Sequence, residues 1–440
     1  MPLPIDPTPA ATLKRELGRW DLTAIGVNQV IGSAIFALPA ALAANAGAWS
    51  PWMVAVVGIA SMLIALSFAE VASRFEGTGG PYLYTRAAFG RFAAFEVGWM
   101  LWFTRAASWA AVIHVLIAAL GRYWPRVSSG APNVLLLTAI IAVLAAINIR
   151  GIRQSSFVVN ALTIGKLLPL VIFIAVGLFH VDGSRLTADA SVSLASLSTS
   201  GLLLIFAFGG YEVVPVVAGE TRDPRRMVPF ALIMTIVIVT ILMTLVQIVA
   251  LGTLPGLARS STPLADAAAV FLGGAGAAML TLGAVLSTSG NNMGQALSGS
   301  RNLFALAEQG DLPPFLGRVH PTYRTPINAI LVTGAVALGL ALSGTFQALA
   351  AASAISRLVV YVATCASTLR LRRMRGVNPP VFTVPFGPVI PVAAIVFALA
   401  ILAGASRQQL LSGTGALAAG AVLYWIAVKG RQPSTPGDRK

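Results

Sequence analysis

The chain has 440 residues, 57% of them hydrophobic and 10% charged, with a net charge of +15. Soluble domains carry about 25% charged residues, so a water-solvated globule is excluded and apolar stretches of about 20 residues become the unit of reading. The basic excess builds no basic domain: it is scattered through short connections between apolar runs, which excludes a nucleic-acid surface and fits topology control in a lipid bilayer.

Residues 1–20 are Pro-rich and polar and read as a disordered cytoplasmic segment, with no cleavable signal before the first apolar run. That run, near 21–45, is interrupted by Gly32-Ser33-Ala34-Ile35-Phe36 and then Pro39. Spans follow near 51–73, 92–120, 133–149 and 157–179. A sixth, near 200–219, is interrupted by Phe208-Gly209-Gly210-Tyr211-Glu212 and then Pro215. Further spans lie near 229–253, 274–300, 326–343, 345–369, 388–406 and 409–428, about twelve in all by apolar length. The short connections after the ninth and eleventh spans suggest tight hairpins. The expected architecture is all-α: a first five-helix repeat over 21–179, a second over 200–369, two additional helices over 386–428 and a cytoplasmic tail over 429–440.

Lys and Arg set the orientation. Arg122, Arg126, Arg185, Arg259 and Arg407 fall in one set of alternate connections; Arg105, Lys166 and Arg357 fall within spans; the rest fall on the opposite side. The positive side faces the cytoplasm, which puts both termini inside a cell membrane, inner or plasma. The two broken spans then run in opposite directions, as in an inverted repeat.

Hydrocarbon offers no water to loose backbone groups, so a helix break at bilayer depth is tolerated only inside protein or beside a cavity. Paired breaks in two halves of a chain point to a transporter's substrate site. At Ile31, Gly32, Ser33, Ala34 and Ile35 the resumed half-helix aims its positive end at the cavity, which suits a carboxylate. At Phe206, Phe208, Gly209 and Gly210 backbone is exposed on the other side, and Glu212 adds an acid. Donors for an anion beside acceptors for a cation fit a zwitterion, and an amino acid is the commonest small one. Gln29, one turn before the first break, adds an amide within reach of a substrate side chain. Phe36, Phe206, Phe208 and Tyr211 are candidate gates, with ordinary packing the plainer reading of each.

Lys166 sits too deep in the fifth span to snorkel. Loss of hydration makes it a candidate proton carrier, and its ammonium can stand in a pocket of carbonyls and hydroxyls; the plainer reading is a fixed structural cation. Ser287, Thr288 and Ser289, followed by Asn291 and Asn292, suit either a cavity wall or interhelical hydrogen bonds. Arg105 and Glu96 share the third span and read as a pair; Arg357 either faces the cavity or meets an acid; Glu70 reads as a partner for loop arginines.

Four stretches resemble the amino acid–polyamine–organocation permeases across nearly all of the first ten spans: Gly32 to Pro39; Glu70 through Gly79-Gly80-Pro81-Tyr82-Leu83-Tyr84 to Gly90; Phe206 to Glu212 with Asp223 to Pro229; and Ser300-Arg301, Gly310 to Pro313 and Thr325-Pro326. The resemblance implies a five-plus-five inverted repeat and alternating access. It implies that Ile31 to Ile35 bind the substrate carboxylate, and that Phe206, Phe208 and Gly209 bind the amino group through carbonyls. It gives Glu212 a gating or proton-responsive role. It also puts Lys166 where sodium sits in related carriers, beside the first break and the eighth-span hydroxyls. One departure is Ala34, where the family's break carries a second glycine.

The expected activity is secondary transport of an amino acid, by proton symport or exchange and without sodium. No Walker motif is present, so ATP is not the direct energy source. His114, His180, His320 and Cys365 form no metal or nucleophile constellation, so neither an enzyme nor a cofactor is expected. The alternatives are an amine or polyamine carrier, with Glu212 holding the cation, a channel, or a non-transporting amino acid sensor.

Overall fold

The computed structural model describes residues 13–429 except 33, 122–123, 188–192, 194–195, 197–199, 202, 205–206, 345 and 404–406. The expected tail beyond residue 429 and residues 1–12 therefore lie outside the described residues. Residues 13–18 pack rather than dangle: Glu16 and Leu17 donate their backbone N–H groups to Glu220 O at 3.0 Å, and Arg222 returns a bond to Leu17 O at 3.1 Å.

The first span is two helices, α1 (Arg19–Val30) and α2 (Ala34–Ala46), parted at Ile31–Gly32. Helix α3 (Ser50–Ala72) follows, with Pro51 in its first turn where a missing N–H removes no helical bond. The loop expected after Glu70 contains a helix, α4 (Pro81–Phe89), entered through Gly80 at φ 48° and left through Gly90 at φ 87°. Nine residues are too few for a periodic pattern to stand out from a loop. Then come α5 (Arg91–Gly121), α6 (Gly130–Ile149) and α7 (Ile152–Gly177).

Span six is helical at Ala207–Phe208, turns at Gly209–Gly210, and continues as a 3-10 helix over Tyr211–Glu220 that kinks at Val217. Pro215 removes a donor within that stretch, where an α-helix would need it. Next are α8 (Pro224–Thr253) and α9 (Pro263–Glu308), the latter bent at Gly273, φ 65°. The eighth apolar run begins at that bend, so the sequence marks the second piece of α9 and not the first. Helices α10 (Ile327–Ser343), α11 (Phe346–Arg373), α12 (Val389–Ala403) and α13 (Arg407–Lys429) complete the described chain. The connections expected to be tight hairpins are short, yet α10 packs on α5, α6 and α9, while α11 packs on α3, α4, α5, α12 and α13.

Among the described residues six helical stretches are long and apolar enough to cross a membrane, and three shorter apolar helices accompany them. Sidedness is clear on α7: Ile164, Leu168 and Val171 are exposed, while Thr163, Lys166, Leu170 and Phe173 are buried, the 3.6-residue period of a helix with one face to lipid. Helix α1 has no such outer face. Enclosed by α7, α8, α9 and the 3-10 segment, it is buried from Leu22 to Val30 apart from the partly covered Ala24. The interrupted segments thus occupy the centre of the bundle.

Candidate functional site

Where α1 stops, its last carbonyls lose their helical partners and need others. Three side chains supply them. Lys166 Nζ lies 2.8 Å from Asn28 O and also bonds Ile31 O. The Ser287 hydroxyl is 3.0 Å from both Ile31 O and Gly32 O, and Asn291 Nδ2 donates to Gln29 O at 3.0 Å. A cation on α7 thus caps the negative end of a half-helix. The break also grips α9 in the other direction: Asn28 Nδ2 donates to Gly290 O at 2.6 Å and Gln29 Nε2 to Asn291 O at 3.1 Å. A methyl group at Gly294 would overlap the Gln29 amide, so this approach of the two helices requires glycine.

The second break presses against the first. Gly210 has φ 134°, and a Cβ placed on it would lie 2.7 Å from Gln29 O and 3.0 Å from Val30 N. A Cβ at Gly209 would run into the Arg357 guanidinium. Just beyond, the Glu212 carboxylate is fully occupied. One oxygen meets Arg105 and lies 2.8 Å from Arg357 Nε; the other accepts from Tyr361 Oη at 2.9 Å and from the Gly210 N–H at 2.8 Å. Arg105 also donates to Gln295 Oε1 at 3.1 Å. The expected Arg105–Glu96 pair is therefore replaced by Arg105–Glu212, and both Glu96 oxygens lack a partner among the described residues. Nine residues of helix separate Arg105 from Glu96, about 13 Å of rise, too far for one ion pair.

The sequence-derived candidates divide accordingly. Gln29, Ile31, Gly32, Lys166, Phe208, Gly209, Gly210, Glu212 and Ser287 come together around the breaks. Ala34 opens α2 with no left-handed φ, so the backbone there makes no demand for the family's second glycine. Ile35 is buried one residue further on. Ser33 and Phe206 lie outside the described residues. Thr288 and Ser289 bond back to Ala284 O and Val285 O of their own helix instead of reaching the break. Only positions spaced by one helical turn from Ser287 share its face. Tyr211 is core: it stacks on Tyr361 at 5.5 Å and meets Phe68 edge-on at 5.9 Å.

Asn28, Gln295 and Tyr361 were not singled out by sequence, whereas Asn291 belongs to the polar run of the eighth span and does reach the break. The legible signal is the i, i+4 row Ser287, Asn291, Gln295 along α9. On one side of the breaks a second buried cluster closes the bundle: Arg301 holds Glu220 with two bonds of 2.9 Å, and Asn148 Oδ1 accepts from Arg301 at 2.5 Å. Glu70 pairs with Arg372 at the end of α11.

A family model for amino acid permeases matches residues 17–428. Branched-chain amino acid permease BcaP of Bacillus subtilis (strain 168) is 29% identical over 437 residues, spanning 94% of this chain and 93% of that protein. Serine/threonine exchanger SteT of the same organism is 30% identical over 404 residues, 87% and 89% of the two chains. The methylthioribose transporter of that strain is 26% identical over 432 residues, 94% of each. A buried pair of touching helix breaks, set in a bundle whose whole apolar length matches that model, leaves one conclusion: the chain belongs to the amino acid permease family.

Proposed function

We propose that this protein is a secondary active amino acid transporter that works by alternating access, sodium-independent and coupled to protons or to exchange. Twelve spans, with both termini cytoplasmic, would hold two inverted five-helix repeats over 21–179 and 200–369, with 386–428 as two added helices. The carrying observation is the contact between the two breaks at the bundle centre, with Lys166 Nζ on the carbonyls of one of them. Substrate would bind between them, its carboxylate on the first break at Ile31 to Ile35 and its amino group on carbonyls of Phe206, Phe208 and Gly209. Lys166 supports sodium independence because an ammonium already occupies the carbonyl cage a metal cation would need. Relatives named for branched-chain amino acids and for serine and threonine support the cargo class.

The amine or polyamine reading loses its main support. It needs Glu212 as a free acceptor, and two guanidiniums, a tyrosine and a backbone N–H already claim both oxygens. The test is uptake of a panel of radiolabelled amino acids into proteoliposomes at two external pH values. Saturable uptake with trans-stimulation supports the carrier; non-saturable flux, or none for any amino acid, refutes it.

A further inference from the structure

Charge around the second break does not balance. Arg105 and Arg357, from α5 and α11, share the single carboxylate of Glu212 from the 3-10 segment, and all three are buried. Tyr361, Gln295 and Gly210 complete the cluster and bring no further charge. Among the described residues no second acid reaches it: Glu220 is held by Arg301, Glu70 by Arg372, and the Glu96 carboxylate lies against Gly420. Lys166, across the breaks, is answered by carbonyl dipoles and brings no negative charge to the cluster. A buried cation without a counter-charge is costly, and a bound anion removes that cost.

Arg105 commits its two terminal nitrogens to Glu212 and Gln295. Arg357 is the most exposed charged member of the cluster, at 7%, and its guanidinium lies against Gly209 in the break itself. A zwitterion with a neutral side chain would bring its ammonium toward this cationic cluster and leave the excess in place. We propose that the substrate is an amino acid with an anionic side chain, whose second carboxylate meets Arg357. This deepens the amino acid carrier reading and rests on it. The negative group turns a repulsive site into a closed set of pairs, and a planar guanidinium fork is well matched to a carboxylate.

The test is competition and uptake in proteoliposomes with glutamate and aspartate against their isosteric amides, glutamine and asparagine, plus leucine and serine. The expected result is that glutamate or aspartate competes at least about tenfold better than its amide, as befits a desolvated charge pair. Arg357→Gln should erase that ratio and Arg357→Lys retain part of it. The wild-type protein in detergent should gain thermal stability from the acid and not from the amide, a measurement that needs no variant. Equal or better competition by the amides, or an unchanged ratio in Arg357→Gln, overturns the proposal. Uptake of neutral amino acids alone refutes the anionic side chain and leaves the carrier reading standing; uptake of no amino acid refutes both.

Discussion

Replacing Glu212 by Gln keeps the shape of the side chain and removes the one negative charge between Arg105 and Arg357. With ~4 Å between charge centres and an effective dielectric of about 20, each attraction is worth about 4 kcal/mol before desolvation. Breaking a buried pair by removing one partner destabilises by about 3–5 kcal/mol. Here two cations are stranded at once, so the upper end of that range applies, against total stabilities of about 5–15 kcal/mol. Arg357→Gln alone leaves the Arg105–Glu212 pair intact and removes the surplus buried cation, so the lost contact and the relieved charge offset each other and stability should stay within about 1 kcal/mol of the parent. The double variant strands one cation instead of two and should then be more stable than Glu212→Gln alone by about 1–3 kcal/mol. Denaturation of the purified protein in detergent, followed by tryptophan fluorescence, reads all three. A Glu212→Gln protein within about 1 kcal/mol of the parent, or a double variant equal to the sum of the singles within about 0.5 kcal/mol, would refute the shared-carboxylate account.

Lys166→Ala strands the carbonyl of Asn28, at about 1–3 kcal/mol, while Ile31 O keeps the Ser287 hydroxyl, and should abolish pH-dependent uptake; an unchanged rate and pH profile in proteoliposomes would take Lys166 out of the mechanism. Gly209→Val drives a branched side chain into the Arg357 guanidinium and should eliminate substrate binding, read by competition against a labelled amino acid; retained affinity would move the site elsewhere. Exchange of external sodium for choline should leave initial uptake rates unchanged, and a sodium requirement would contradict the place given to the Lys166 ammonium.

Helix positions were legible because long apolar runs wind into helices, and the breaks because glycine and proline interrupt those runs. Length says less about geometry inside a break. Gly209-Gly210 announces that span six opens, but not that the chain beyond it winds as a 3-10 helix; Pro215 interrupts an α-helical ladder there without selecting the tighter winding. The partner of Arg105 was misread for a related reason. Sequence proximity favoured Glu96 on the same helix, whereas the acid that answers Arg105 is 107 residues away. Ser287, Thr288 and Ser289 appear equivalent in sequence; helical periodicity turns only Ser287 to the break. Where a polar residue serves its own helix, composition cannot separate it from one that serves the site.

The buried ion pairs divide by their stoichiometry. Glu220 with Arg301 and Glu70 with Arg372 are one acid to one base. The first joins the end of the 3-10 segment to α9 and is closed in charge, as a fixed tether needs to be; the second joins α3 to α11, where Arg372 is partly exposed and solvent screens it. Lys166 is closed differently, by carbonyl dipoles at the end of α1. Asp311 also meets two arginines, Arg86 and Arg91, but both are partly exposed and water screens the surplus; the Glu212 cluster buries its excess cation, and it lies where the two breaks touch. A tether gains nothing from such an imbalance, because the surplus charge opposes burial at every moment. A site that must be filled and emptied does gain: the open charge makes the unfilled, closed state unfavourable and the filled one favourable, so closure waits for cargo. In an exchanger that difference would tie reorientation to cargo, whereas a symporter, which must return empty, gains nothing from it.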